Sequence, residues 1–167
     1  MQYRIGCGYD VHAFCVKDSA KLVLGGVTIP CKDNNNNNKG LLGHSDADVL
    51  LHAIMDAVLG ALALNDIGHW FPNNDNSILG IASSELFKRM WKEILSRGWS
   101  TVNCDSVIVA EKPKLAPYIV QMRENISDLM QCPVDCISVK ATTSERLGFC
   151  GREEGIAASA VVLLQKD

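Results

Sequence analysis

The stretch that decides the fold runs from Ser45 to Leu64 and reads SDADVLLHAIMDAVLGALAL. It opens with the S-x-x-D pattern of a helix start, in which Ser45 would be the N-cap, and continues with residues that are apolar almost without interruption. The pattern predicts a helix from Asp48 to Leu64 that is buried on most of its sides. Three ionisable residues at successive spacings of four share one stripe of this helix: Asp48, His52 and Asp56.

Ionisable groups on a buried helix are costly unless they are paired, hydrogen-bonded or bound to a metal. One interpretation is that the stripe faces solvent, although the helix carries few other polar residues. The alternative is a partner in the preceding strand, where Asp10 and His12 are two residues apart and point to the same face. With His52 they form three ligands that leave a fourth tetrahedral position open, which is typical of a catalytic or substrate-binding zinc site. Asp48 and Asp56 would then support the ligands or contact the substrate.

The rest of the chain alternates predicted strands and helices. Its β-branched and glycine-punctuated segments predict strands at Arg4–His12, Leu22–Ile29, Val102–Ala110, Ile137–Ala141 and Ala157–Leu164. Helical periodicity predicts further helices from Ser83 or Ser84 to Arg97, before Gly98, and from Tyr118 to Met130. This order implies an α/β or α+β sandwich in which helices cover one sheet. The run Asn34–Asn38 is expected to be a low-complexity surface loop insertion in a single domain spanning residues 1–167.

Composition narrows the function classes. With 167 residues, 47% of them hydrophobic, the chain has one domain's length and enough apolar content for a core. Its formal net charge of -3 provides no global positive field, so neither nucleic acid nor a membrane is expected as a partner. The longest apolar run, Ala57 to Leu64, is too short to cross a bilayer, so the chain is expected to be soluble. The seven cysteines contain no C-x-x-C pair, which argues against a zinc finger.

Three segments are suited to local contacts with phosphate or nucleotide. His44 and Ser45 precede the predicted helix, where free backbone N–H groups favour an anion, although Ser45 is equally suited to be only an N-cap. The segment Lys140–Phe149, KATTSERLGF, places three hydroxyls and then Glu145 after a strand. This composition suits phosphate oxygens and a hard cation such as Mg2+, but it also fits an ordinary turn rich in Ser and Thr. The loop Ala110–Leu115 would line a nucleotide pocket or be a solvated connection.

The motifs of the whole chain resemble those of one enzyme family. They are DVHAF at Asp10–Phe14, GHSDADV at Gly43–Val49 with His52, DIG at Asp66–Gly68 with Phe71 and Pro72, Pro113–Lys114, and KATT at Lys140–Thr143 with Gly148–Phe149 and Gly151–Arg152. In this order and at these separations they are similar to the 2-C-methyl-D-erythritol 2,4-cyclodiphosphate synthases. The resemblance covers essentially the whole chain apart from the asparagine run.

The resemblance implies a homotrimer in which each subunit has a mixed four-stranded sheet with helices on one face, and in which adjacent subunits share the active sites. It implies a phosphorus-oxygen lyase of the non-mevalonate isoprenoid pathway. The substrate would be 4-diphosphocytidyl-2-C-methyl-D-erythritol 2-phosphate, whose 2-phosphate attacks the β-phosphorus, expels CMP and closes the cyclic diphosphate. An isoprenoid diphosphate is a candidate ligand for a cavity on the trimer axis.

The resemblance also implies roles for individual residues. Asp10, His12 and His52 would bind one Zn2+ per active site, and Glu145 would coordinate the Mg2+ or Mn2+ that accompanies the substrate diphosphate. The transition state would be stabilised by His44 and Thr143, assisted by Ser45 and Thr142.

The remaining implied substrate contacts form four groups. Those that neighbour the metal are Asp10, Val11 and His12. Those near the ribose and erythritol are Asp66, Ile67, Gly68, Phe71, Pro72, Asn73, Asn74 and Asp75. Those for the cytidine and its phosphates are Ala110, Glu111, Lys112, Pro113, Lys114, Leu115, Ala116 and Thr142, and the substrate contacts that follow them in the chain are Thr143, Ser144 and Glu145. Phe149 and Arg152 would lie near the substrate and toward the axial cavity. Two positions depart from the family pattern: Asn73, where an acidic residue is common, and Glu111–Lys112, where small or uncharged residues are common.

The asparagine run is typical of protist proteins, and together with the implied pathway it predicts a plastid-type organelle, such as an apicoplast or chloroplast stroma, rather than the bacterial cytoplasm. Two other functions stay open. One is a metal-dependent phosphohydrolase that uses the same Asp-His-His set to activate water on a nucleotide diphosphate substrate. The other is a non-catalytic trimer that binds an isoprenoid diphosphate.

Overall fold

A computed structural model of the chain describes residues 1–72, 74–75, 78 and 80–167. Its strands are β1 Gln2–Val16, β2 Leu22–Leu24, β3 Val27–Ile29, β4 Lys39–Leu41, β5 Ser100–Val109, β6 Ile137–Thr142 and β7 Gly155–Lys166. Its α-helices are α1 Val49–Ala61, α2 Ile67–Trp70, α3 Ser83–Ser96, α4 Ile119–Met130 and α5 Gly148–Gly151. Each predicted strand and helix has a counterpart among these elements.

Five strands form one mixed sheet in the order β4-β1-β7-β5-β6. β7 is antiparallel to both β1 and β5, whereas β5 and β6 run parallel because α4 connects them. The mixed α/β class is therefore confirmed. The sheet has five strands where four were expected. The additional strand is β4, a three-residue segment that pairs with the end of β1 and is too short to show a period in the sequence.

Helix α1 lies directly on β1 and β7, and ten of its thirteen residues are buried. Gly6 and Gly8 make this close packing possible, because a Cβ atom on either would overlap a backbone carbonyl oxygen of α1, at Ala57 and Ala53 respectively. The helix is therefore the centre of the core, as its apolar sequence predicts. Within the described residues, no helix combines the length and the apolar character that membrane crossing requires.

The opposite face of the sheet carries an exposed apolar row. Alternate residues of β1 point away from α1, so that Tyr3, Ile5, Tyr9 and Val11 are between 44% and 71% exposed. Val161 on the neighbouring β7 is exposed beside them. A continuous apolar surface of this kind is typical of a protein interface.

The ends of α1 differ from the prediction. Asp48, not Ser45, is the N-cap, since its carboxylate accepts a hydrogen bond from the backbone N–H of Leu51 at 3.0 Å. The Ser45 hydroxyl instead accepts a backbone N–H within its own turn. The helix stops at Ala61 rather than Leu64, because Ala63 adopts a left-handed φ of 54°.

The predicted strand Leu22–Ile29 is a hairpin of β2 and β3. Gly25 and Gly26 have φ values of 58° and 73°, and positive φ at both central positions is typical of the type I′ turn, one of the two common turns of two-residue hairpins. The asparagine run lies in an exposed turn, closed by a backbone bridge between Lys32 and Asn38.

Candidate metal and phosphate site

Three of the predicted ligand atoms converge on one point. The Oδ2 atom of Asp10 lies 3.0 Å from Nε2 of His12 and 3.0 Å from Nδ1 of His52, and the two nitrogens are 3.1 Å apart. Atoms that bind Zn2+ at about 2.0–2.2 Å can stand this close together, so the donor set fits such an ion. The His52 side chain is only 12% exposed, which rules out the interpretation that it faces solvent.

Both imidazoles are oriented by a partner on their far side. Nδ1 of His12 lies 2.8 Å from the carbonyl oxygen of Leu42, which can only accept, so Nε2 of His12 is directed at the metal position. Nε2 of His52 lies 2.9 Å from the Ser83 hydroxyl, which in turn donates to Asp46 at 2.5 Å. Such outer partners fix the rings of metal-binding histidines.

The three ligands are electrostatically coupled. Burial opposes the charge of Asp10, but hydrogen bonds with His12 and His52 outweigh burial and hold the pKa of this carboxyl well below its usual range. Burial likewise favours neutral His12, yet its hydrogen bond to the Asp10 carboxylate raises the pKa of the imidazole. A proton and a metal ion bound at this point would therefore compete for the same side of His12.

The other two carboxylates of the predicted stripe do not join the metal ligands. Asp48 is fully buried and accepts backbone hydrogen bonds from Gly25 at 2.9 Å and Gly26 at 2.7 Å, in addition to its capping bond. Burial raises the pKa of Asp48 to about 6, against these N–H donors. Asp56 accepts from the backbone N–H of Ile67 at 2.8 Å. The two carboxylates therefore hold the β2–β3 hairpin and the start of α2 against α1.

A cavity of about 220 Å³ opens beside the three ligands. It brings them together with five of the implied catalytic and substrate residues: His44, Ser45, Ile67, Gly68 and Phe71. At the N-terminus of α1, where an anion was expected, the side chain of Asp48 accepts the backbone N–H of Leu51. His44 and Ser45 thus meet this cavity as side chains of the preceding loop.

The other residues expected on the erythritol side are less closely associated with this cavity. Asp66 is the N-cap of α2 and accepts the backbone N–H of His69 at 2.8 Å. Asn73 lies outside the described residues. Three further expected contacts do not line the cavity: Pro72, Asn74 and Asp75.

A second cavity, of about 280 Å³, collects most of the residues expected around the cytidine. They are Ala110, Glu111, Pro113, Lys114, Leu115, Ala116, Thr142 and Thr143. Lys112 does not line it, because its Nζ atom pairs with a carboxylate oxygen of Glu153 at 2.9 Å.

The loop after β6 is held from behind by Glu111. One carboxylate oxygen of Glu111 accepts from the backbone N–H groups of Ser144 and Arg146, both at 3.0 Å, and from the Ser144 hydroxyl at 3.2 Å. These bonds, the Arg146 N–H foremost, lower the pKa of Glu111. The loop needs such support, because Glu145 and Arg146 have left-handed φ values of 54° and 65°. Within it, the Thr143 hydroxyl donates to the Glu145 carboxylate at 2.7 Å.

The residues of the two cavities lie at the same end of the strands but on different strands of the sheet. His12 pairs with Ile156 on β7, the next residue Ala157 pairs with Val109 at the end of β5, and Val109 pairs with Thr142. Three strand spacings of about 4.8 Å put roughly 14 Å between the backbones at His12 and Thr142. In the part of the chain that the structure describes, these residues therefore form two cavities and not one.

Three expected contacts lie elsewhere. The Val11 side chain points to the exposed face of β1, opposite the metal ligands. Phe149 lies on the short helix α5 and is 37% exposed. Arg152 follows it and makes two bonds to the Glu154 carboxylate, at 2.8 and 3.1 Å.

Comparison with known proteins matches this geometry to one family. The model of the YgbB family matches residues 3–165. A relative from Bacillus cytotoxicus, named 2-C-methyl-D-erythritol 2,4-cyclodiphosphate synthase, is 52% identical over 164 residues, which cover 98% of this chain and 99% of the relative. The chain belongs to the YgbB family.

Solved structures have the same fold as this YgbB family chain. The bifunctional IspDF from Campylobacter jejuni is 37% identical with a TM-score of 0.89, and the match covers 99% of this chain and 43% of that longer one. IspF from Plasmodium falciparum, solved as a CDP complex, is 34% identical with a TM-score of 0.82, and the match covers 99% and 97% of the two chains.

The prediction of a plastid-type organelle, which was based on the asparagine run and the implied pathway, is wrong. The Bacillus relatives of the YgbB family share 51–52% of their residues with this chain, whereas the Plasmodium structure shares 34%. This similarity points to a bacterial protein. The physical reason for the error is that the asparagine run is an exposed turn, whose composition the fold hardly restricts.

The sequence did not predict two residues that contact the histidines of this YgbB family site. Ser83, which contacts His52, was assigned only to a helix start, and Leu42 contributes nothing but a carbonyl oxygen. A backbone acceptor has no sequence signature. Ser83 lies 31 positions from His52, and no local spacing connects them.

Proposed function

We propose that this chain converts 4-diphosphocytidyl-2-C-methyl-D-erythritol 2-phosphate into 2-C-methyl-D-erythritol 2,4-cyclodiphosphate and CMP. The observation that carries the proposal is the convergence of Asp10, His12 and His52 within 3.1 Å, in a chain 52% identical over almost its full length to a relative named for this reaction. The chain is accordingly a phosphorus-oxygen lyase of the non-mevalonate isoprenoid pathway.

The reaction is an intramolecular phosphoryl transfer. An oxygen of the 2-phosphate attacks the β-phosphorus, the bond from that phosphorus to the bridging oxygen breaks, and CMP leaves with the oxygen and the electron pair. Such a transfer needs in-line positioning and neutralisation of charge rather than a protein nucleophile. Because both reacting groups belong to one molecule, folding that molecule over the site supplies the proximity.

Asp10, His12 and His52 would hold Zn2+, because among the described residues they are the one group of three His, Cys, Asp or Glu side chains whose ligand atoms all lie within 4.8 Å of one another. When bound, the ion supplies Lewis-acid stabilisation of charge on phosphate oxygens. The protein's contribution is to aim the ligands: the Leu42 carbonyl orients His12, and α1 carries His52 over β1.

The loop after β6 would serve the diphosphate. Glu145 would hold Mg2+ or Mn2+, since carboxylate oxygens are the preferred ligands of hard cations. The bond from Thr143 to Glu145 supports this role, because it orients the carboxylate within the loop. Thr143 and His44 would donate hydrogen bonds to oxygens that gain charge in the transition state, with Ser45 and Thr142 beside them. The loop Ala110–Ala116 would receive the cytidine.

A homotrimer would complete the site. Ligands and phosphate loop lie about 14 Å apart in one chain by strand spacing, too far to clamp one diphosphate. The exposed apolar row of Tyr3, Ile5, Tyr9 and Val11 gives the sheet a face for packing against neighbours. With its neighbour's loop beside the ligands, each active site would draw on two subunits.

We also propose that the trimer has a cavity on its axis, which would bind an isoprenoid diphosphate. Phe149 would face it with an apolar ring and Arg152 with a guanidinium. Because Arg152 is bonded twice to Glu154, a diphosphate there would have to displace that carboxylate.

The test is to identify the products. The protein, supplied with Zn2+ and Mg2+, is incubated with the cytidyl substrate, and the products are followed by ³¹P NMR and mass spectrometry in normal and ¹⁸O-labelled water. We expect CMP and a cyclic diphosphate without solvent oxygen. A linear product that contains solvent oxygen would instead establish the phosphohydrolase, and an inert protein that still binds the substrate would establish the binding module. His52→Ala should abolish turnover, whereas His69→Ala, an exposed histidine of α2, should not.

A further inference from the structure

The short helix α2 makes one wall of the cavity beside Asp10, His12 and His52. Ile67 and Gly68, the first two residues of α2, line this cavity. Because α2 has only four residues, its internal hydrogen bonds are too few to make it stable by itself. The position of this wall therefore depends on the contacts that α2 makes with the rest of the protein.

Asp56 on α1 supplies a directional contact of this kind. Its half-buried carboxylate accepts the backbone N–H of Ile67 at 2.8 Å. The first N–H groups of a helix have no acceptor inside the helix, so Ile67 needs one from elsewhere. Among the described residues, this is the only hydrogen bond that joins α1 to α2. Apolar packing of Ile67 and Trp70 against the core also holds α2, but such packing is not directional.

Asp56 lies on the same helix as one of the candidate metal ligands. His52 precedes it by four residues on α1, which is about one helical turn, or roughly 6 Å along the axis. Ten of the thirteen residues of α1 are buried, so the surrounding core holds this helix on most of its sides. α1 therefore carries a candidate metal ligand and, one turn later, the acceptor that anchors the cavity wall.

We propose that Asp56 is a positioning residue, which holds Ile67 and Gly68 at the distance from the metal ligands that the erythritol part of the substrate requires. The inference rests on the proposed function and concerns the binding of substrate. Asp56 does not line the cavity, and it acts through the backbone of α2. Its loss should therefore weaken substrate binding and leave Zn2+ binding unchanged.

The negative charge of Asp56 offers a different route to the same site. Burial raises the pKa of Asp56, and the nearby charges of Asp66 and Asp10 raise it further, against the bond from the Ile67 N–H. Two replacements separate the hydrogen bond from the charge. Asp56→Asn removes the charge but keeps an oxygen that can accept the same bond, whereas Asp56→Glu keeps the charge and moves the acceptor by one methylene.

The test measures substrate binding, Zn2+ binding and the hydrogen bond separately in Asp56→Ala, Asp56→Asn and Asp56→Glu. KM and kcat are determined with the cytidyl substrate, and calorimetry gives the affinity for the cyclic product, which needs no turnover. Zn2+ affinity is measured by competition with a chromophoric chelator, and NMR follows hydrogen exchange of the Ile67 amide in metal-free protein. The control is Asp33→Ala, because Asp33 accepts the backbone N–H groups of Asn35 and Asn37 in an exposed turn.

We expect Asp56→Ala to raise KM and the dissociation constant of the cyclic product about 10-fold, and to speed exchange of the Ile67 amide, because that N–H loses its acceptor. The value of kcat should change less than KM, since the wall contacts a part of the substrate that does not react. Zn2+ affinity should stay at the wild-type value. Asp56→Asn and Asp33→Ala should match wild type throughout, whereas Asp56→Glu should resemble Asp56→Ala.

Three results would overturn the inference: wild-type KM and product affinity in Asp56→Ala, an Asp56→Asn variant as weak as Asp56→Ala, which would show that the charge matters and not the bond, or a loss of Zn2+ affinity in parallel with substrate affinity. If Asp56→Ala fails to fold, the contrast between Asp56→Asn and Asp56→Glu decides. If the wild type makes no cyclic product, the proposed function fails, while exchange of the Ile67 amide still decides whether Asp56 anchors α2.

Discussion

Nδ1 of His52 lies 3.0 Å from Oδ2 of Asp10, although 42 positions of sequence separate the two residues. The contact joins the helix at the centre of the core to the strand beneath it, so that the packing that builds the fold also brings the candidate metal ligands together. It depends on Gly8, which lets α1 lie close enough to β1 for the side chains to meet.

The first prediction concerns pH. In the metal-free protein, the raised pKa of His12 contributes stability that is complete below about 6.5 and is lost as the pH rises through that pKa. The lowered pKa of Asp10 contributes stability that is present above about 3.9 and is lost at lower pH. The difference in unfolding free energy between wild type and Asp10→Asn should therefore be larger at a pH of about 5.5 than at about 9.

Urea denaturation in the presence of a chelator measures this difference. Asp18→Asn, which alters an exposed carboxylate, serves as the control and should show little dependence of this kind. A difference between wild type and Asp10→Asn that grows from acidic to alkaline pH would contradict the coupling of Asp10 to His12.

A second prediction tests the packing of α1 on β1. Gly8→Ala should lower the free energy of unfolding by about 1–3 kcal/mol or more, because the new Cβ atom would overlap the Ala53 carbonyl. Gly60→Ala within α1 is the matched control, since its Cβ atom would meet only the Cys7 carbonyl, at 3.7 Å. It should stabilise the protein by up to about 1 kcal/mol through helix propensity. Equal effects in urea denaturation would mean that the close approach is not what requires Gly8.

A third prediction concerns Glu111 and the loop after β6. Glu111→Ala should speed amide hydrogen exchange at Ser144 and Arg146, because both N–H groups lose their acceptor. Glu111→Gln should keep exchange close to wild type, since its side-chain carbonyl can accept the same bonds. Glu153→Gln, which removes the negative charge opposite Lys112, is the control and should leave these two amides unchanged. Slow exchange in Glu111→Ala would show that the loop is held by other contacts.

The fourth prediction tests the trimer. Ile5→Arg places a charge in the exposed apolar row of β1, where Ile5 is 71% exposed, and should convert trimers into monomers. Val120→Arg makes the same change at a 63% exposed position on α4 and should leave the trimer intact. Light scattering coupled to size exclusion measures the mass, and a trimeric Ile5→Arg variant would contradict this use of the row.

Local patterns were sufficient for the longer elements (β1, β5, β6, β7, α1, α3 and α4) and for selecting the three side chains that converge in the structure, Asp10, His12 and His52. The four-residue spacing placed His52 on a buried helix, and the two-residue spacing of Asp10 and His12 placed both on one strand face. The same stripe misled about Asp48 and Asp56, because their partners are backbone N–H groups of α1, the hairpin and α2, which no side-chain pattern reveals.

The contacts that the sequence did not predict depend on tertiary packing. Ser83 reaches His52 only when α3 packs beside α1, and Glu111 reaches Ser144 only because β5 and β6 are neighbours. Glu111 and Lys112, expected at the cytidine, bind other parts of the protein through their charged groups. A charge in a loop sequence does not reveal whether its partner is substrate or protein.

The most direct test of the account is anomalous diffraction at the zinc absorption edge from crystals grown with Zn2+, Mg2+ and CDP. We predict one peak per chain at about 2.0–2.2 Å from Asp10 Oδ2, His12 Nε2 and His52 Nδ1. The CDP diphosphate should lie between this ion and the Thr142–Glu145 loop of a neighbouring chain. A structure without zinc at these three atoms, or with CDP held by a single chain, would contradict the account.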